Sequence, residues 1–176
     1  MTTFIALLRA VNVGGRKVPM ADLRALATKL GLKDVQSYIQ SGNLVFTAGG
    51  SAAPLAAKLE TALAAKFGFD VPVIVRTAEQ WKAYLDNPFP TSPPNLLYLG
   101  LSKQPPAPDA ATTILQRAKG GEQAKLVGDA LWIAYPSGLG QSKITPAHID
   151  KAVGSPTTAR NVNTVRQLAL LAGLTA

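Results

Sequence analysis

Apolar positions along this chain follow two different periods in alternation. Phe4-Ile-Ala-Leu-Leu8 is a short unbroken apolar run, which predicts a strand buried on both faces. Arg9 to Lys17 is polar and Gly-bearing and reads as a loop. Leu23, Leu26 and Leu30 then recur at helical spacing, with Pro19 near the first turn, Asp22 near the positive end of the helix dipole and Gly31 as the stop. Val35–Gln40 and Leu44–Thr47 predict two strands joined by Ser41-Gly42-Asn43, a tight-turn composition. Leu55, Leu59, Leu63 and Phe67 mark a second helix from Pro54, stopped by Gly68, and Val71–Arg76 predicts a fourth strand.

Thr77 caps a short helix ending near Asp86, and the proline-rich residues 87–94 read as a linker. The same order then returns. Leu96–Leu101 is a strand and Ala110–Lys119 a helix; Ala124–Val127 and Leu131–Tyr135 form a hairpin around Gly128-Asp129. Thr145-Pro146 opens a helix that ends before Gly154, Thr157–Arg160 is a short strand, and Val162–Ala172 is a last helix with Asn161 as its cap. The expected architecture is therefore α+β, two ferredoxin-like βαββαβ halves with extra helices, divided as residues 1–88 and 95–176.

Composition narrows the function classes. Hydrophobic residues make up 47% of 176, enough for a real core, and no apolar run approaches the roughly 20 residues that span a bilayer. No signal segment is expected at the N-terminus, since its apolar stretch breaks at Arg9. Cysteine is absent, which removes disulfides and thiolate chemistry and fits a reducing cytoplasm. The net charge of +8 favours anionic partners, but it is evenly spread: residues 1–88 hold ten cations and six acids, and residues 89–176 hold eight and four, giving +4 each. The candidate partners are a small anionic ligand and, as a second class, nucleic acid; no membrane partner is expected, and the sequence sets no oligomeric state.

The segments Ala6-Leu-Leu-Arg-Ala-Val-Asn-Val-Gly-Gly15, Pro19-Met-Ala-Asp-Leu23 and Tyr38-Ile-Gln-Ser-Gly-Asn43, with Gln141–Thr145 and Thr158–Thr164 further on, resemble domain of unknown function 1697, an uncharacterised bacterial family. The resemblance implies a pair of α/β-plait domains and no established activity. In two places the chain departs from the family pattern: Ala10 stands where Gly is usual, and Val162 where an aromatic is usual. If that aromatic stacks on a ligand, this chain lacks the contact; if it is core, Val162 only makes the core smaller.

Two loop clusters are candidate anion sites. Because strand three of such a sheet runs antiparallel to strand one, the loop carrying Arg9, Asn12, Gly14 and Lys17 should approach Ser41 and Asn43, beside the start of the first helix. The alternative is that the asparagines brace turns while Gly14, Gly15 and Gly42 supply positive φ. In the second half, Ser142, Lys143, Arg160, Asn161 and Asn163 should gather near the start of Leu96–Leu101. The alternative there is a solvated Lys143 and asparagines that cap the last helix. An enzyme acting without metal on a phosphorylated or carboxylated substrate, and a structural or interaction module, are further readings. No metal or cofactor is expected and no catalytic residue is assigned: the single histidine, His148, lies in a helix, and the ten carboxylates show neither DxD nor ExxH spacing. RNA recognition needs exposed aromatics on a sheet face, and Phe4 and Phe46 are the only candidates in the first half.

Overall fold

A computed structural model describes residues 1–175. By its internal contacts the chain divides into two compact units, one of Met1–Ala83 with the segment from Gln167 onward, the other of Tyr84–Arg166. Among the described residues no helix is long and apolar enough to cross a membrane.

The first unit runs β1 (Thr2–Leu8), α1 (Met20–Lys29), β2 (Lys33–Ser37), β3 (Asn43–Ala48), α2 (Ala52–Phe67), β4 (Val73–Thr77) and α3 (Ala78–Trp81). Its sheet has the order β2-β3-β1-β4 and is antiparallel throughout, the ferredoxin-like arrangement. β1 is central, so its five residues from Phe4 to Leu8 are all buried. Phe4, Ala6 and Leu8 pack with Leu23 and Ala27 of α1 and with Leu55, Leu59 and Leu63 of α2. Each such side chain stabilises the fold by about 1.5–3 kcal/mol through burial. Phe4 lies directly opposite Phe46 and stacks on it at 5.8 Å within this core. The two aromatics an RNA-binding sheet would need are therefore committed to the interior. The other face, with Ile5, Leu7 and Ile74, is buried as well, and α3 lies against β1 and β4.

Local chemistry sets the element ends. Gly68 closes α2 in the left-handed conformation, as its position after the last Leu/Phe contact predicts. Thr77 starts α3 with a reciprocal capping box to Gln80. β2 ends at Ser37, earlier than expected, and the chain reaches β3 through an irregular segment in which Ile39 takes φ 47°.

The second unit repeats the plan with β5 (Leu97–Ser102), α4 (Ala110–Leu115), β6 (Gln123–Val127), β7 (Ala130–Ala134), α5 (Pro146–Val153) and β8 (Thr157–Asn161), in the order β6-β7-β5-β8. Leu131 and Ile133 of β7 pack with Ile114 of α4 and with Ile149 and Val153 of α5. α4 is shorter than the periodicity predicts. The Glu122 carboxylate accepts hydrogen bonds from the backbone N–H groups of Lys119 (3.1 Å) and Gly120 (2.9 Å), which draws this segment out of the helix into a loop. α6 (Val162–Leu171) follows β8 directly, and the Asn161 side chain accepts from Thr164 N–H at 3.0 Å, capping it as expected. Val162 is buried.

Candidate functional site

The first cluster assembles where topology puts it. Leu7 pairs with Asn43, and Leu8 N–H donates to Gly42 O, so the β1–α1 loop meets the β2–β3 connection. Its amides and Arg16 are spent on holding that meeting together. The Asn12 amide donates to Val18 O (3.0 Å) and Gln40 O (2.6 Å) and accepts from Val18 N–H (2.9 Å). Asn43, fully buried, donates to Tyr38 O (2.8 Å) and Ser41 Oγ (3.0 Å). Arg16 lies over the Phe69 ring at 4.5 Å and donates to Ala10 O and Asp70 O. At Gly42, with φ +90°, a Cβ would stand 2.7 Å from Val11 Cγ2 and 2.9 Å from Leu8 Cβ, so the close approach requires glycine. Arg9 donates its backbone N–H to Pro72 O, Gly14 takes φ 56° and Lys17 is exposed. The asparagines and Gly42 act as braces for the turns, which is the alternative the sequence offered.

The second cluster does not converge. Register places Arg160 opposite Leu99 and Asn161 opposite Tyr98. Alternation along β8 then sends Arg160 and Asn161 to opposite faces of the sheet. Arg160 is buried and donates to Thr158 Oγ1 (2.7 Å) and Ala159 O (2.9 Å); burial pushes its guanidinium down to about 10, leaving it charged at neutral pH. Asn161 is occupied as a cap, and Asn163 is exposed on α6. Ser142 Oγ accepts from Ile144 N–H at 3.1 Å. Of the five, only Lys143 has an exposed charge.

Lys143 has other neighbours. It lines an open depression of about 530 Å³ together with Gln116, Arg117 and Lys119. No carboxylate is among those lining residues. The reason lies in the topology: α4 returns the chain to the end of the sheet where β6 begins, opposite the end of β7, and the chain leaves that same end towards α5. The end of α4 and the approach to α5 are thus neighbours. Arg117 and Lys119 follow the last turn of α4, where the helix dipole favours cations. Cations at a helix end are ordinary; what sets these apart is that Arg117, Lys119, Lys143 and nearby Lys151 have no ion-pair or hydrogen-bond partner for their side chains among the described residues. Three acids of this unit are committed elsewhere. Glu122 holds the loop after α4, Asp129 accepts from Tyr84 Oη at 2.8 Å, and Asp150 accepts from Thr157 N–H at 2.9 Å.

An adjoining groove of about 510 Å³ between α4 and α5 shares Gln116 and Arg117 and adds Asp109, Thr113, His148 and Lys151. His148 completes a capping box with Thr145: Thr145 Oγ1 accepts from His148 N–H (3.3 Å) and lies 2.6 Å from Nδ1, which also accepts from Thr145 N–H (3.4 Å). Where Nδ1 accepts from Thr145 N–H, the neutral ring carries its proton on Nε2. Partial desolvation first, then the charges of Arg117 and Lys151, hold the imidazole below its ordinary range. Sequence reading missed Arg117, Lys119, His148 and Lys151. The signal was present as a pair of cations just before Gly120-Gly121, at the end of a helix whose sheet order fixes where it points.

The model of a family described as protein of unknown function, DUF1697, matches residues 1–132. Among solved structures, the chain is similar to the conserved bacterial protein SP0830 from Streptococcus pneumoniae, at 26% identity and a TM-score of 0.73, over 98% of this chain and 99% of that one. A search of curated proteins returns no match.

Proposed function

We propose, for a chain that belongs to the DUF1697 family of proteins of unknown function, that it is a cytoplasmic protein binding a small phosphate- or carboxylate-bearing ligand at the cationic depression of its second unit. The observation that carries this reading is the grouping of Arg117, Lys119 and Lys143 around one open volume with no acid among its lining residues. A tetrahedral or planar anion placed there gains charge-assisted hydrogen bonds without displacing an existing ion pair. The first cluster offers less, because its amides and Arg16 are already engaged within the fold. The absence of cysteine fits the reducing compartment.

The test is thermal unfolding at low ionic strength with orthophosphate, citrate and adenosine monophosphate as probes. A ligand at about ten times its Kd adds about 1.4 kcal/mol, a rise of roughly 3–6 °C for a chain of this size. At least one probe is expected to give that rise, and the Arg117→Ala/Lys143→Ala double variant is expected to lose it. A flat response to all three, or a rise that survives the double substitution, overturns the reading.

A further inference from the structure

We propose that the depression is one half of a two-part site, and that its ligand carries at least two phosphate-type groups, the second lying in the groove between α4 and α5 beside His148 and Lys151. This rests on the anion-binding reading above and extends it to the ligand class. Three observations carry it. The two volumes have Gln116 and Arg117 in common, so they adjoin, and a ligand in one lies beside residues that also line the other. Arg117 stands at their junction, and a guanidinium, with five donors in a planar fork, can bridge two anionic groups where a lysine ammonium serves one. The groove supplies its own cation, Lys151, which is exposed and has no side-chain partner among the described residues.

His148 adds a donor of another kind. Its Nδ1 is taken by Thr145, so the Nε2–H is the group available to a ligand. Asp109 also lines the groove and disfavours an anionic group beside it, whereas Lys151 favours one. The first depression lacks any such acid, so the two halves differ: one is purely cationic, the other has a neutral donor, a cation and a limiting carboxylate. A linear polyphosphate or a bisphosphorylated small molecule fits that division.

Calorimetry at low ionic strength with orthophosphate and tripolyphosphate as the probes decides the matter, with the affinity ratio between them as the readout. Tripolyphosphate is expected to bind more tightly by at least about fivefold beyond the change produced in a Lys125→Ala control on the exposed edge strand β6. In Lys151→Ala that ratio is expected to fall to about one. Because the chain has a single histidine, its imidazole proton signals report on the groove directly, and they are expected to move on saturation with tripolyphosphate. A ratio that survives Lys151→Ala, or imidazole signals unmoved at saturation, overturns the two-part site. Orthophosphate binding without a chain-length preference would overturn the extension and leave the simpler reading standing; no binding of either probe would sink both.

Discussion

Ala10 holds a left-handed conformation, with φ 56°, at the exit of β1, and Asn12 and Ile39 take φ 58° and 47° in the same pair of connections. A residue with a Cβ loses about 1–2 kcal/mol in that region, and only glycine avoids the clash. The family resemblance puts Gly where this chain has Ala10, and the backbone gives the reason. Ala10→Gly is expected to raise the unfolding free energy by about 1 kcal/mol in urea titration; a loss of stability would contradict the strain. At this scale the sequence was informative about the braces and silent about direction. Asn12 and Asn43 were readable as turn formers because a short amide next to glycine has few other roles. Arg160 was not readable as buried, since which face a strand residue takes depends on register, and register is set by strands elsewhere in the chain.

At the scale of elements, α5 begins with a capping box whose third position is histidine rather than the more usual glutamate or glutamine. A neutral imidazole completes the box without adding negative charge beside Arg117 and Lys151. His148→Glu separates the two requirements. The helix start is expected to tolerate it, with the urea midpoint unchanged, because glutamate also closes the box and suits the helix dipole. Tripolyphosphate affinity is expected to fall at least about fivefold in calorimetry, since the new carboxylate occupies both cations; unchanged affinity would count against the groove. Helix starts of this kind were legible, as Thr145-Pro146 and Thr77 show. The end of α4 was not, because the Glu122 carboxylate that captures Lys119 and Gly120 competes with helix in a way no periodicity records.

For the whole molecule, the sheet orders β2-β3-β1-β4 and β6-β7-β5-β8 follow the doubled pattern of strands and helices closely. Short apolar runs and helical spacings specify element type, and antiparallel connection rules leave few arrangements. The charge was harder to read. Eighteen cations against ten acids gives +8, but the number matters less than the engagement of Glu122 and Asp150 in holding a loop and a strand, while no acid lines the depression at the end of α4. That arrangement has a pH consequence. With one histidine and no cysteine, His148 is the only side chain whose ordinary range lies between pH 5 and 8. Its folded value is lowered, so between that value and about 6.5 the unfolded chain binds more protons than the folded one. Urea midpoints are therefore expected to fall as pH drops from about 7.5 through this window and to level off below it. His148→Gln is expected to flatten that part of the profile, and an unchanged profile would show that the imidazole does not feel Arg117 and Lys151.

The meeting of the first unit's connections has one more consequence, for the order in which the chain assembles. Gly14-Gly15 looks like a hinge, yet the loop around it is tied by Asn12 to Gln40, by Arg9 to Pro72 and by Arg16 to Asp70. Those anchors come from two separate stretches of the chain, the β2–β3 connection and the approach to β4, and they are in place together only when β3 and β4 have both joined β1. Ordering of the loop is thus coupled to strand pairing on both sides of β1. Its glycines serve the sharpness of a turn that the finished sheet locks.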